Sequence, residues 1–255
     1  MILLRSLIFH AAFYLTTTVL AIAGLPVLLL DRRRVQDYAK FWTGLSIWQL
    51  EKICKTKIVF RGLENLPRGA CIIAAKHQSA LETLALTTRA SDFSYILKRE
   101  LTAIPVFGWY LKGAGQLAID RSKRGQALPD LSRQAREAIT QGRQIIIFPE
   151  GTRKPAGGPP EYKSGVAHLY IETGAVCVPA ALNAGLFWPR RSLSIHPGTV
   201  TIAFLEPIEP GLDKQSFMQL LESRIETATA QLIDDALIAD PSLKRIVATP
   251  DIAVS

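Results

Sequence analysis

The sequence predicts an α/β fold, in which a mostly parallel or mixed sheet of about seven strands is flanked by helices and preceded by an N-terminal apolar two-helix membrane anchor. Beyond residue 56, short β-branched runs alternate with helical patterns, and the run at 145–148 is apolar throughout, as in strands covered on both faces. Residues 7–30 carry no formal charge. We therefore expect membrane-anchoring helices at 1–55, an α/β domain at 56–212, and at 213–255 a C-terminal helix and tail packed on that domain.

The apolar segment at 7–30 has the length of a membrane helix. As a helix it would span about 36 Å, against about 30 Å for a hydrocarbon core. It is followed by Arg32, Arg33 and Arg34, which predict a cytoplasmic edge on an anionic membrane surface, with the α/β domain on the cytoplasmic side of the cell inner membrane. A cleaved signal peptide is disfavoured because the apolar run continues past the cleavage-like Ala21-Ile22-Ala23. Whether the helices span or only dip into the bilayer stays open.

The next segment predicts an amphipathic helix. Val35, Tyr38, Trp42, Leu45 and Trp48 recur at steps of three and four residues. Tryptophan is suited both to a membrane interface and to packing on a folded domain. The apolar face of this helix could therefore contact either the membrane or the domain that follows it.

The α/β domain is predicted from seven short apolar runs and four helix starts. The runs are 57–60, 71–75, 93–97, 116–119, 144–148, 176–182 and 199–205. The helices are expected to begin near Ser79, Lys123, Ser164 and Asp213. The tail after Asp240-Pro241 is expected to be weakly ordered.

The composition limits the classes of molecule that this chain could bind but does not select one of them. Hydrophobic residues make up 48% of the chain and charged residues 20%, which excludes a disordered chain. The net charge of +8 favours phosphate-bearing partners: nucleic acid, an anionic membrane or a phosphorylated substrate. The three cysteines show no C-x-x-C spacing and the four histidines no metal-binding spacing, so we predict no disulfide framework and no metal.

The first candidate site follows the run that ends at Ala75. His77 precedes Glu82 by five residues, so this carboxylate could orient the imidazole as a general base if His77 lies before the helix begins. Ser79 with Glu82 also has the spacing of a capping box, in which Glu82 only satisfies a backbone amide. Spacing alone leaves both interpretations open.

The second candidate site follows the run that ends at Phe148. Pro149, Glu150, Gly151, Thr152 and Arg153 combine a rigid residue, a flexible glycine, a hydroxyl and a cation. Such a turn can bind an anion, with Arg153 gripping a phosphate through two donors. Alone, it is equally typical of a solvated turn.

Together the two sites resemble the glycerolipid acyltransferase family, typified by 1-acyl-sn-glycerol-3-phosphate acyltransferases, which pairs a His-x4-Asp block with a Phe-Pro-Glu-Gly-Thr-Arg block. Glu82 stands where the family more often has Asp. The resemblance covers residues 57–205 and includes, in the family's order, Lys98-x-Glu100-Leu101, Pro105-x-x-Gly108-Trp109, Ile119-Asp120-Arg121 and the segment 177–183.

The resemblance implies transfer of a fatty acyl group from acyl carrier protein (acyl-ACP) or coenzyme A (acyl-CoA) to the sn-2 hydroxyl of 1-acyl-sn-glycerol-3-phosphate, giving phosphatidic acid. His77 is then the general base and Glu82 its orienting carboxylate, with direct transfer and no acyl-enzyme. Beyond the thioester co-substrate no cofactor is implied. The resemblance assigns Lys98 and Arg153 to the phosphate of the lysophospholipid acceptor, with Arg121 as a third ligand. It also includes Glu150, Gly151 and Thr152 among the substrate-binding residues, and Glu150 and Gly151 are expected to shape the turn and to present backbone amides toward the developing oxyanion.

The distribution of charge agrees with a phosphorylated substrate. Residues 98–154 contain eleven Lys or Arg and five Asp or Glu, and so hold most of the net charge. Several of these cations are expected on a solvated helix face: Lys123, Arg124, Arg133, Arg136 and Arg143. A nucleic-acid partner is disfavoured because the aromatic residues lie in apolar segments. Two alternatives remain: an acyltransferase for another lysolipid, such as a lyso-aminolipid, and a catalytically inactive membrane lipid-binding protein.

Overall fold

A seven-stranded mixed sheet organises the chain. The computed structural model describes residues 1–120 and 126–247. The strands are β1 (Thr56–Arg61), β2 (Cys71–Ala75), β3 (Phe93–Lys98), β4 (Leu117–Ile119), β5 (Gln144–Ile147), β6 (Cys177–Leu182) and β7 (Gly198–Phe204). Their spatial order is β1-β7-β6-β2-β5-β3-β4, and only the β6–β7 pair is antiparallel. The predicted fold class is confirmed, and each strand lies within one residue of its predicted bounds.

Helices cover both faces of this sheet. They are α1 (Ile2–Ala23), α2 (Arg32–Cys54), α3 (Leu81–Thr87), α4 (Phe107–Gly113), α5 (Ala127–Thr140), α6 (Gly165–Thr173), α7 (Ala184–Phe187) and α8 (Lys214–Ala239). Asp213 begins α8 as expected, because its side chain accepts hydrogen bonds from the Gln215 and Ser216 amides. The sequence did not predict the short helices α4 and α7.

Strand β2 shows how the layers form. Its residues are all buried and alternate between two cores. Cys71, Ile73 and Ala75 pack in the core that includes residues of α2 and α3, whereas Ile72 and Ala74 pack with residues of α5, α6 and α8. Truncating a buried isoleucine such as Ile72 to alanine would cost about 2–5 kcal/mol of stability, so β2 is a rigid base for the residues that follow it.

Helix α1 is the apolar N-terminal element, with bounds that differ from the predicted 7–30. It begins at Ile2 and ends at Ala23, and at the following Gly24 the Tyr38 ring occupies the space that a Cβ would need. Pro26 then belongs to a 3-10 turn at Leu25–Leu29. Within the described residues, α1 is the one helix long and apolar enough to cross a membrane, and only 11% of its apolar window is buried.

Helix α2 packs on α1 and on the sheet domain, but its buried face is rotated from the predicted stripe. Val35 is buried, Trp42 donates a hydrogen bond to Thr17 of α1 (3.0 Å), and Trp48 remains 55% exposed. Besides Val35 and Leu50, the buried face consists of polar or small side chains: Gln36, Thr43, Ser46 and Cys54. A search for apolar spacing misses them because Gln36 bonds the Phe93 and Ala114 carbonyls instead of filling an apolar site.

Two further expectations need correction. Arg32 does not join Arg33 and Arg34 as a free cation, because it forms an ion pair with Asp92 of the domain. The segment after Asp240 is ordered as a 3-10 helix at Pro241–Ile246, because Leu243 is buried against the core. Residues 248–255 lie outside the described part of the chain.

Candidate active site

The two candidate sites meet at one edge of the sheet. Strands β2 and β5 are parallel neighbours, with Ala74 opposite Ile147, so both chain segments leave the sheet at the carboxyl end. The backbone then joins them directly, since the Lys154 amide donates a hydrogen bond of 2.7 Å to the His77 carbonyl. This edge is where α/β sheets place ligand sites.

His77 and Glu82 are in direct contact. Nδ1 of His77 lies 2.9 Å from Oε1 of Glu82, whose carboxylate is fully buried. Helix α3 begins at Leu81, so His77 precedes it, as the pairing requires. Because Nδ1 donates to the carboxylate, Nε2 is left as the proton acceptor, which is the arrangement of an oriented general base.

The capping interpretation also describes real contacts. The same Oε1 of Glu82 accepts hydrogen bonds from the amides of Gln78 (2.8 Å) and Ser79 (2.7 Å). The Ser79 hydroxyl accepts one from the Leu81 amide (3.2 Å), although the N-cap position itself is Ala80. Glu82 therefore holds the loop and the imidazole through one oxygen, and the two interpretations are not exclusive.

Aromatic side chains fix the plane of the His77 ring. It stacks on Phe148 with centroids 4.0 Å apart and an interplanar angle of 17°. Tyr95 lies on the same aromatic cluster, 6.2 Å from Phe148. The His77 side chain is 17% exposed, so a substrate hydroxyl can reach the ring from a limited direction only.

The turn after Phe148 has a defined geometry. Gly151 has φ of +65°, a left-handed conformation that favours glycine, and its amide donates to the Phe148 carbonyl (2.9 Å). That amide is therefore used by the turn and is not free to face an oxyanion. Thr152 is exposed and Arg153 is half-buried.

Glu150 lies beneath this turn, away from solvent. Its side chain is fully buried, Oε1 lies 2.8 Å from Nζ of Lys76, and Oε2 accepts the His77 amide (3.0 Å). Burial raises the pKa of the Glu150 carboxyl, and the Lys76 ammonium opposes that shift. Its position favours holding the His77 loop over touching a substrate.

Two predicted phosphate ligands lie near the same edge. Lys98 is exposed at the carboxyl end of β3, which is the parallel neighbour of β5. Neither Lys98 nor Arg153 forms an ion pair with a carboxylate in the described ranges. Arg121 falls outside the described residues.

Sequence reasoning missed Arg190. Its Nη1 donates to the Arg153 carbonyl (2.8 Å), so a third cation joins this region. It also lines a cavity of about 220 Å³ with Gln78, the residue after His77, and with Arg191. In the sequence, this residue could have been found from the Trp-Pro-Arg-Arg run at 188–191, because two adjacent arginines after a proline suit an anion-binding loop.

The predicted solvated cations divide into two groups. Arg133 and Arg136 are exposed and pair with Glu137 and Glu172. Arg143 is buried, which corrects its assignment: it follows α5 and donates to the Gly115 carbonyl at the amino ends of β5 and β4. Lys123 and Arg124 lie outside the described residues.

Side chains that could act as covalent nucleophiles are poorly placed. Cys71 is buried in β2, and burial raises the pKa of its thiol to about 12. The Ser79 hydroxyl is buried and occupied by the Leu81 amide. In the part of the chain that the structure describes, no group of three or more His, Cys, Asp or Glu residues could hold a metal ion.

Comparisons with known proteins agree with this geometry. Residues 57–183 match the family model described as Acyltransferase. A 1-acyl-sn-glycerol-3-phosphate acyltransferase of Pseudomonas aeruginosa is 37% identical over 67% of this chain and 66% of its own length. The chloroplastic 1-acyl-sn-glycerol-3-phosphate acyltransferase LPAT1 of Arabidopsis thaliana is 33% identical over 74% of this chain and 54% of its own length. The match thus spans just under two thirds of the first relative and about half of the second.

A solved structure extends the likeness to nearly the whole fold. The crystal structure of the 1-acyl-sn-glycerophosphate (LPA) acyltransferase PlsC from Thermotoga maritima is similar with a TM-score of 0.76 and 25% identity. The similarity covers 91% of this chain and 98% of that one. With the His77–Glu82 pair and the Phe148–Arg153 turn joined at one sheet edge, these matches show that the chain belongs to the acyltransferase family.

Proposed function

We propose that this protein transfers a fatty acyl group from acyl-ACP or acyl-CoA to the sn-2 hydroxyl of 1-acyl-sn-glycerol-3-phosphate, giving phosphatidic acid for phospholipid biosynthesis. The observation that carries the proposal is the 2.9 Å contact between His77 Nδ1 and Glu82 Oε1, which leaves Nε2 as a proton acceptor. The names of the relatives, which act on 1-acyl-sn-glycerol-3-phosphate, support the acceptor.

The chemistry needs one general base. A hydroxyl is a weak nucleophile at neutral pH, whereas a thioester already has a good leaving group. Nε2 of His77 takes the hydroxyl proton as the oxygen attacks the thioester carbon. The carbon–sulfur bond then breaks, the acyl group stays on the acceptor oxygen, and the proton passes from His77 to the departing thiolate. Glu82 orients the ring and stabilises the imidazolium formed in between.

Transfer is direct, with no acyl-enzyme. This step of the proposal is supported by the two nucleophiles nearest His77 in sequence, since Cys71 is buried with a raised thiol pKa and Ser79 is occupied by a backbone amide. No cofactor other than the thioester co-substrate takes part.

The acceptor phosphate binds to Lys98 and Arg153 in this proposal, with Arg121 as a third ligand. Thr152 adds an exposed hydroxyl, while Glu150 and Gly151 contribute the shape of the turn. A guanidinium matches a phosphate with two donors, and an ammonium acts as a point charge.

The protein works at a membrane surface. Large apolar side chains on α1 are exposed, among them Leu4 (63%), Leu15 (67%) and Ile22 (61%). Arg33 and Arg34 are exposed just beyond α1 and suit anionic headgroups. We place α1 in the cell inner membrane with the catalytic domain on the cytoplasmic side.

An acyl-transfer assay of the purified protein tests this function. We expect transfer to lysophosphatidate from at least one thioester donor, and a loss in kcat of about 10²- to 10⁴-fold in His77→Ala. His168→Ala is the matched control, because His168 bonds Ser132 on another face of the sheet. Equal activity of wild type and His77→Ala would refute the catalytic role. Preference for a lyso-aminolipid over lysophosphatidate would refute the acceptor.

A further inference from the structure

A lysine is buried immediately before His77. The Lys76 side chain is 2% exposed, and Nζ lies 2.8 Å from Glu150 Oε1 and 2.7 Å from Glu226 Oε1. Lysine is almost never this buried unless it is paired. Two carboxylates and one ammonium thus form a charge cluster in which Lys76 and Glu150 are buried.

The cluster reaches the backbone of His77 through Glu150. While Oε1 of Glu150 bonds Lys76, its Oε2 accepts the His77 amide at 3.0 Å. One buried carboxylate therefore links the lysine to the backbone from which the imidazole extends. Burial alone would favour the protonated carboxyl, and the Lys76 ammonium opposes this.

The other side of the cluster comes from the C-terminal helix. Glu226 lies on α8, outside residues 57–183 that match the family model. Its Oε1 also accepts the hydroxyl of Tyr162 at 2.7 Å, and Lys76 Nζ lies 5.8 Å from the centre of the Tyr162 ring. The helix thus supplies a fixed anchor for the ammonium.

We propose that Lys76, held by Glu226 and Tyr162, is a positioning residue that fixes His77 by holding the Glu150 carboxylate in place to accept the His77 amide. The inference rests on the proposed general-base role of His77. Two supports then hold the histidine: Glu82 holds the ring, and the Lys76–Glu150 pair holds the backbone. A positioning role predicts a loss in kcat without a loss in substrate affinity, because Lys76 is buried and reaches no substrate.

The test is a double-mutant cycle with Lys76→Met and Glu150→Gln. Each single variant is expected to lower kcat at least tenfold while each KM changes less than threefold. The double variant is expected to be no slower than the slower single variant, because Lys76 acts through Glu150. Each single variant leaves one buried charge without its partner at positions 76 and 150, which can prevent folding. The double variant removes both members of this ion pair, so neither position carries an unpaired charge. If the loss in kcat of the double variant equals the product of the two single losses, the proposal is wrong.

Hydrogen exchange gives a readout that does not need turnover. The His77 amide is expected to exchange at least tenfold faster in Lys76→Met and in Glu226→Gln than in wild type. Lys214→Met is the matched control, because Lys214 is exposed on the same helix as Glu226, and it should change neither exchange nor kcat.

The outcomes separate this inference from the proposed function. If His77→Ala abolishes transfer while Lys76→Met keeps wild-type kcat, or if Lys214→Met causes an equal loss, the positioning role is wrong and the acyltransferase function stands. If His77→Ala transfers the acyl group as fast as wild type, the general-base role of His77 is wrong, and exchange at the residue-77 amide alone decides whether Lys76 holds this loop.

Discussion

Shortening Glu82 by one methylene tests how His77 is held. All three hydrogen bonds of this carboxylate converge on Oε1, at 2.9 Å from His77, 2.8 Å from Gln78 and 2.7 Å from Ser79. In Glu82→Asp the carboxylate retracts by up to about 1.5 Å, one carbon–carbon bond length, so these contacts lengthen beyond hydrogen-bond range. A misplacement of this size, with a charged hydrogen bond lost, should lower kcat about 10- to 100-fold.

Steady-state acyl transfer to lysophosphatidate measures this effect. The acceptor KM should stay within threefold of wild type, because the phosphate ligands are untouched. Glu82→Gln separates the effect of side-chain length from the effect of charge, because glutamine has the length of glutamate but no negative charge to stabilise the imidazolium. We expect kcat of this variant to fall about 100-fold or more. Glu137→Asp, an exposed carboxylate on α5, is the matched control.

One result would show that the length of the Glu82 side chain does not affect catalysis. If Glu82→Asp, the residue type that the family more often has, turns over as fast as wild type while Glu82→Gln is inactive, then charge alone supports His77. Thermal unfolding of each variant, recorded beside the kinetics, shows whether a loss in rate follows a loss of folded protein.

Three further predictions concern the acceptor, the covalent step and acid stability. Arg153→Ala should raise the acceptor KM about 10- to 100-fold and leave the donor KM within threefold; equal rises would contradict the phosphate assignment. Cys71→Ala should keep kcat within threefold, and mass spectrometry of wild type with the thioester donor should detect no acylated protein; an acyl adduct would disprove direct transfer. Burial raises the pKa of Asp92, but the hydrogen bond and charge of Arg32, together with Gln36 and Arg143, outweigh this and lower the pKa overall. The resulting stabilisation is present above the ordinary pKa of 3.8 and is lost as pH falls through the folded value, so unfolding of Asp92→Asn should depend less on pH below about 4 than unfolding of wild type.

The strands and the His77–Glu82 contact could be predicted from the sequence, because both depend on residues that are close together in the chain. The strands were found because apolar, β-branched runs are needed between two helical layers, and β2 matched its prediction at both ends. The His77–Glu82 contact was accessible because five residues separate its members and a helix start lies between them.

Contacts between distant segments were not accessible in this way. The sequence predicted a solvated cation at Arg143 and assigned no role to Lys76, because only the fold brings the Gly115 carbonyl to Arg143, and Glu150 and Glu226 to Lys76. Burial of these charges depends on partners that lie 28 to 150 residues away in the chain. No periodicity encodes such a pairing.

The central place of β2 has a consequence for how the site forms during synthesis. Its two neighbours, β5 and β6, come later in the chain than β2 itself, and Glu226 comes later still. At about 5–20 residues per second, the ribosome needs roughly 5–20 s to pass from Glu82 to the end of β6. During that interval the apolar helix α1 is already synthesised, while β2 first lacks both neighbours and then, once β5 has been made, still lacks β6 at its other edge. A nascent chain that stops before β6 therefore carries the His77–Glu82 pair beside a strand with one unpaired, aggregation-prone edge, and the complete site arrives only with the last third of the protein.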